Sequence, residues 1–331
     1  MKIPYSIILI VVISLTSVLL LLGGLSLLGN ELSHFEDREG KVLGASAEII
    51  DNDYEKVVFA SNTFPQSNYA YSLPPRKQTN EEIELNAFGG AVLDCQSGSL
   101  IFDKEADKEV AIASITKLMT ALVFLDTNPD FESEYKVSPQ DRVEGGKIYL
   151  FNGDRVKLKD LFYLSLVGSA NTATRALVNS TGMSLEEYVK AMNIKADSMG
   201  LRNTKFVDPI GLSAYNVSTA KEVAKLAEEA LKNKYINEVT LTDKYEFTTL
   251  DGRKKIVYST DDLLTNFPQN GIKILGGKTG YIEAADYCFV GKFTNNKGDE
   301  IITVVLGSPD KYSRFTETRK LAEWIYEAYK W

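Results

Sequence analysis

Histidine is almost missing from this chain, with a single residue, His34, among 331. It stands just after an apolar amino-terminal run and outside any patterned segment, so neither a Ser-His-Asp triad nor a histidine-based zinc site is available. Cysteine is scarce too. Cys95 and Cys288 are too few for a thiolate metal cage, and both lie in apolar, strand-like sequence where a buried small side chain is expected. A disulfide between them is the lesser alternative. No cluster of ligating residues implies a metal or a cofactor. Positive charge is also in deficit: 45 Asp plus Glu against 37 Lys plus Arg give a net charge of -8 and a pI near 5.0. That balance excludes a nucleic-acid partner held by phosphate neutralisation.

The chain has the means to fold, since hydrophobic residues make up 44% and charged residues 25%. Its longest apolar run lies at the start. Ile3 to Asn30 carry no charge, which exceeds the roughly 20 residues a helix needs to span a bilayer. Lys2 precedes the run, whereas Glu31, Glu36, Asp37 and Glu39 follow it with only Arg38 opposed. The positive-inside bias then leaves Met1 in the cytoplasm and the rest outside, as a single-pass protein of the cell membrane. A cleaved signal peptide fits less well, because its apolar region is shorter and its small-x-small site close behind; here Ala45-Ser46-Ala47 is far downstream.

Residues 1–30 thus read as a cytoplasmic start and transmembrane anchor, and residues 31–84 as a stalk. The stalk shows no sustained periodicity and contains FPQSNYAYSLPPRKQTNEE, rich in turn formers. As a loose chain it has a reach of about 40 Å.

Residues 85–331 remain for one mixed domain. NAFGGAVLDC, a turn at Gln96-Ser97-Gly98 and SLIFD read as a strand hairpin. Leu118, Ala121, Leu122 and Leu125 recur with helical spacing, which predicts a helix from about Ser114 to Leu125. Further helices are predicted in DLFYLSLVG, NTATRALVN, SLEEYVKAMNIKADSMG and TAKEVAKLAEEALK, the last with Thr219 and Glu222 at capping-box spacing. GIKILGGKTGY, ADYCFVGKF and EIITVVLG then read as three strands, and RFTETRKLAEWIYEAYK as a closing amphipathic helix. The fold class is therefore α/β. An antiparallel five-stranded sheet, its first two strands meeting its last three across a helical block, is flanked by helices and joined to an all-helical lobe.

Without a usable histidine, hydrolytic chemistry needs another base, and lysine is the candidate. Ser114-Ile115-Thr116-Lys117 puts a hydroxyl and an amine one turn apart at a helix start. The spacing alone carries no signal, because Ser133/Lys136, Ser218/Lys221 and Ser308/Lys311 share it. Its company separates the first copy. Ser169-Ala170-Asn171 is the only Ser-x-Asn and Lys278-Thr279-Gly280 the only Lys-Thr-Gly in the chain.

In that order, on helix, helical-lobe turn and strand, these motifs resemble those of the penicillin-binding protein and serine β-lactamase superfamily. The flanking text ASITKLMTALVFLD, NTKFVDPIGL, STAKEVAKLA and LGGKTGY is similar to the low-molecular-mass D-alanyl-D-alanine carboxypeptidases over about residues 85–331. The resemblance implies the β-lactamase/transpeptidase-like fold. It also implies removal of a terminal D-alanine from peptidoglycan stem peptides through an acyl-enzyme on Ser114, with β-lactams as covalent inhibitors. Lys117 is then the base, Ser169 the proton donor to the leaving amine, and Asn171 an amide orienting Lys117 or the substrate. Lys278, Thr279 and Gly280 would receive the substrate, with an oxyanion hole at the backbone N–H groups of Ser114 and Tyr281.

An unperturbed lysine is neutral in only about one molecule in 2,500 at pH 7, so burial and the like charge of Lys278 are expected to depress Lys117. Asp208, between Val207 and Pro209 with Gly211 beyond, reads as a turn residue rather than a catalytic acid.

Two segments depart from the family's pattern. Thr172 follows Asn171 where Asp is frequent, and Ser259-Thr260-Asp261-Asp262 stands where an Asn-x-Asn-like pattern is usual. The extra C-terminal β domain common in such carboxypeptidases is not expected, which leaves anchoring to the amino-terminal helix. Three rivals stand beside the carboxypeptidase: a peptidoglycan endopeptidase, a β-lactamase and a catalytically silent wall-binding module. The loop NTKFVDPIGLSAYN has no Glu to activate water as class A β-lactamases require, and a binding module has no need of a nucleophile beside a lysine. Amino-terminal sequencing of the native protein is expected to find the apolar segment retained. A mature start between Gly44 and Glu48 would contradict the anchor.

Overall fold

The three inner strands of the large sheet are buried along most of their length because both faces of the sheet are covered. The computed structural model describes residues 73–77, 82–267 and 270–331. The expected membrane segment and most of the expected stalk lie outside the described residues. Among the described residues, no helix is long and apolar enough to cross a membrane. We number the five strands of the large sheet and the seven longer helices in chain order.

The hairpin β1 (Gly89–Asp94) and β2 (Leu100–Lys104) comes first. The helical block follows, with α1 (Thr116–Asp126), α2 (Leu158–Leu166), α3 (Asn171–Asn179), α4 (Leu185–Ser198), α5 (Ala220–Lys232) and α6 (Lys234–Thr240). The strands β3 (Lys273–Ile282), β4 (Asp286–Thr294) and β5 (Glu300–Ser308) and the helix α7 (Ser313–Ala328) close the chain. The sheet order is β2-β1-β5-β4-β3, all neighbours antiparallel. The first two strands do meet the last three across the helical block, with Gly90 opposite Val305 and Leu93 opposite Ile302.

Alternation along each strand divides the core in two. Ala91, Leu93, Cys288, Val290, Ile302 and Val304 face the helical block and pack with Leu226, Ala227 and Leu231 of α5. Val92, Phe289, Phe293, Ile301 and Val305 face the other way, onto Phe315, Leu321 and Ile325 of α7. Both cysteines are free, Cys288 buried and Cys95 half-buried, and burial pushes the Cys288 thiol up to about 11.

The chain joins this fold ahead of Leu85. Arg76 bridges Tyr329, Lys77 N–H donates to Ala328 O at 2.8 Å, and Leu85 is itself buried in the core beside α7. Thr219 caps α5 as its spacing suggests, accepting from Glu222 N at 3.1 Å. The reciprocal half of the box is replaced by a longer reach: the Glu222 carboxylate accepts from Thr204 Oγ1 at 2.6 Å and Asn203 N at 3.0 Å. That reach pins the loop that leads back toward α1.

The loop is tight where it meets α1. Gly211 has φ +86, and a Cβ there would lie 2.0 Å from Ala113 O and 2.9 Å from Ser114 N. Left-handed strain of about 1–2 kcal/mol would add to displacement of the backbone just ahead of Ser114. Gly211→Ala is therefore expected to cost on the order of 3 kcal/mol in denaturant unfolding. An unchanged midpoint would show that this packing is loose.

Candidate active site

Ser114 lies in a single 3-10 turn, Ala113–Ile115, that runs directly into α1. The helix predicted from Ser114 therefore begins in a tighter form. Its first residue, Ala113, has a φ of +47, a left-handed conformation uncommon for a residue with a Cβ. Ser169, in the turn between α2 and α3, is another such residue, at φ +52. Each hydroxyl is thus aimed by a strained backbone that the surrounding packing holds in place.

The structure brings Ser114, Lys117 and Asn171 into one cluster. Lys117 is fully buried, and its Nζ donates to Ser114 Oγ at 2.7 Å, to Asn171 Oδ1 at 3.0 Å and to Ile210 O at 2.8 Å. All three acceptors are neutral. Asn171 is fixed from its other end, Nδ2 donating to Gly145 O at 3.0 Å, so its Oδ1 is held toward Lys117. Thr172, next in sequence, spans toward the same loop, its Oγ1 accepting from Val143 N at 3.5 Å.

Lys278 and Ser169 form the second cluster. Lys278 is buried on β3 and donates to Ser169 Oγ at 2.9 Å and to Thr279 O at 3.0 Å. Thr279, also buried, shares a 2.6 Å hydroxyl pair with Thr260. Gly280 has a structural reason of its own: a Cβ there would meet Ile112 O at 2.7 Å and Ala113 Cβ at 3.3 Å. Its lack of a side chain lets β3 lie against the turn carrying Ser114 and brings the Tyr281 backbone alongside. The Tyr281 ring is half exposed and stacks on Tyr287 with centroids 4.2 Å apart.

Burial without a counter-charge pushes the Lys117 ammonium down to about 7, against the opposing pull of the Asp208 carboxylate. That is a bias on the order of 5 kcal/mol toward the neutral amine. Of the two expected causes, burial is the leading one for Lys117. Lys278 is itself driven well below its usual range, first by burial and then by the like charges of Lys117 and Arg314. Burial is the leading cause for both amines, and the like charge between them adds to the depression of Lys278.

Asp208 is a turn residue, as its neighbours suggest. Its Oδ1 accepts from Ile210 N and Gly211 N, each at 2.7 Å, and its Oδ2 from Ser213 N at 2.9 Å. This turn presents the Ile210 carbonyl to Lys117.

Several contributors have no signature in the sequence. Buried Asn216 ties the Asp208 turn to α1, Nδ2 donating to Asp208 O at 2.8 Å and to Thr116 Oγ1 at 3.2 Å. Buried Arg314, at the start of α7, donates to Gly280 O at 3.2 Å and lies 5.6 Å from the centre of the Tyr287 ring. A cavity of about 550 Å³ beside Thr172 is bounded by Val143, Gly145, Ile148 and Phe151. Among the described residues, no group of three or more His, Cys, Asp or Glu is placed to hold a metal ion.

A serine hydroxyl held by a buried lysine, facing a second lysine on a strand edge, defines a serine acyl-transfer site. The family model for peptidase family S11, D-alanyl-D-alanine carboxypeptidase, matches residues 76–310. The chain belongs to that family of serine DD-peptidases and penicillin-binding proteins. It is 31% identical to a D-alanyl-D-alanine endopeptidase of Escherichia coli (strain K12), over 75% of this chain and 79% of that protein. A D-alanyl-D-alanine endopeptidase of Pseudomonas aeruginosa is 28% identical over 77% and 82%. The D-alanyl-D-alanine carboxypeptidase DacF of Bacillus subtilis is 28% identical over 79% and 67%. Among solved structures, the Streptomyces K15 DD-transpeptidase superposes with a TM-score of 0.70 at 26% identity, covering 75% of this chain and all of that one.

A lysine base works only as the neutral amine, so with Lys117 in that role acylation of Ser114 is expected to fall as pH drops below about 7, where Lys117 takes up a proton. Lys117→Ala is expected to slow acylation by roughly 10²- to 10⁴-fold, the range for a lost general base. A wild-type acid limb near pH 10, or near-normal acylation by Lys117→Ala, would rule out this base.

Proposed function

We propose that the protein is a serine D-Ala-D-Ala carboxypeptidase that releases the terminal D-alanine of peptidoglycan stem peptides. The observation that carries this reading is the 2.7 Å contact between Lys117 Nζ and Ser114 Oγ in a site without a carboxylate partner for the amine. In the neutral form of Lys117 the polarity of that hydrogen bond reverses. The Ser114 O–H donates to Nζ, Oγ attacks the carbonyl of the penultimate D-alanine, and the proton passes to Lys117. The tetrahedral oxyanion is received by the backbone N–H groups of Ser114 and Tyr281. Collapse breaks the C–N bond, and the departing amine takes the proton that Lys117 gained, relayed through Ser169, which leaves Lys117 neutral. Water then attacks the ester and gives its proton to the neutral amine of Lys117, which passes it to Ser114 Oγ as the acyl C–O bond breaks and the shortened peptide leaves as its acid.

Lys278 and Thr279 receive the carboxylate of the leaving residue. An anion beside Lys278 favours the protonated ammonium, so substrate binding restores the charge that the empty cleft suppresses. The same chemistry admits a second reading. The relatives from E. coli and P. aeruginosa are named endopeptidases, and a cross-link whose amine side bears a carboxylate next to the scissile bond would satisfy the same groups. β-Lactams enter as covalent inhibitors of Ser114. The Asp208 carboxylate is committed to its own turn, and no Glu lies in the 203–216 loop to activate water against a bulky acyl group. We place the domain outside the cytoplasm, held to the membrane by the uncharged run Ile3–Asn30.

Digestion of purified muropeptides tests the two readings together. Free D-alanine from pentapeptide stems is the expected product, whereas cleavage of cross-linked dimers with pentapeptides left intact would make the protein an endopeptidase. Fluorescent penicillin is expected to leave a long-lived adduct on Ser114. Rapid release with hydrolysed antibiotic accumulating would move it to the β-lactamases.

A further inference from the structure

Thr260 touches both walls of the cleft. Its backbone N–H donates to Val167 O at 3.0 Å, two residues ahead of Ser169, and its Oγ1 lies 2.6 Å from Thr279 Oγ1 on β3. The neighbouring residues hold it in place. Asp261 is buried, its Oδ1 accepting from Leu263 N at 2.9 Å while its N–H donates to Ser259 Oγ at 3.0 Å. Just upstream, the strand Lys254–Tyr258 packs Val257 so closely on Gly168 that a Cβ at 168 would sit 2.4 Å from Val257 Cγ2. The segment 257–261 therefore follows the Ser169 turn rigidly, and Thr260 carries that registration across to β3.

A hydroxyl has one proton, so in a pair of threonines only one can donate to the other. A carboxylate accepts and never donates when ionised. Once it sits against Thr279, the Thr279 proton must go to it, and the 2.6 Å contact requires Thr260 to be the donor. We propose that Thr260 is a positioning residue for carboxylate recognition: it donates to Thr279 Oγ1, so that the Thr279 hydroxyl proton is committed to the substrate's terminal carboxylate at a fixed distance from Ser169. This rests on the carboxylate-receiving role given to Thr279 above. Two hydroxyls in series also polarise each other, which strengthens the bond to the anion.

A double-mutant cycle on an acylated tripeptide ending in D-Ala-D-Ala tests the assignment. Thr260→Val keeps the shape and removes the donor. It is expected to raise KM about threefold to tenfold with kcat within about twofold, and Thr260→Ser is expected to restore KM. In a Thr279→Val background the same Thr260→Val change is expected to add nothing, because its effect runs through Thr279 alone. An equal cost in both backgrounds, or an unchanged KM in Thr260→Val, would overturn the proposal. If the wild-type protein releases no D-alanine, the carboxypeptidase reading fails separately. The cycle is then run on the second-order acylation by fluorescent penicillin, which also presents a carboxylate, and additivity there would overturn the role of Thr260.

Discussion

A primary amine buried without a counter-charge is the constraint on which the rest of this site depends. Lys117 is surrounded by a hydroxyl, an amide oxygen and a peptide carbonyl, none of which pairs with an ammonium as a carboxylate would. A carboxylate in that ring would hold the proton on Lys117 and end its use as a base. Asp208 is close enough to pull in that direction, yet its oxygens are occupied by the N–H groups of Ile210, Gly211 and Ser213. The turn it makes substitutes a neutral carbonyl, Ile210 O, for its own charge.

The architecture follows from keeping that amine dry while admitting a peptide. Three segments far apart in sequence must converge, and each is held by backbone constraints rather than by side-chain bulk. Ala113 and Ser169 take left-handed conformations, and Gly211 and Gly280 leave room for the turn that carries Ser114. The second amine, Lys278, is buried on β3 and is driven down by burial and by the like charges of Lys117 and Arg314.

Much of this was legible in the sequence, for identifiable reasons. EIITVVLG and ADYCFVGKF read as strands because a sheet covered on both faces needs apolar residues at nearly every position. Ser114, Lys117, Ser169, Asn171 and Lys278 were found because one scarce residue, histidine, removed the usual base and left lysine motifs to compare. The rest leaves no trace in the sequence, for physical reasons. Ile210 contributes a backbone carbonyl, which has no residue signature, from 93 positions away. Thr260 and Arg314 make contacts set by the fold, and the strand Lys254–Tyr258 with its antiparallel partner Lys244–Thr248 is too polar to stand out.

Direct titration of the Lys117 side chain addresses the central claim without relying on turnover. With lysines labelled at the ε carbon and the Lys117 signal identified by its loss in Lys117→Ala, NMR across a pH series reports when this one amine takes up its proton. The account requires a midpoint near 7, set apart from the surface lysines. A midpoint near 10, together with those surface residues, would mean that Lys117 stays protonated at neutral pH and that the Ser114 proton leaves by another route.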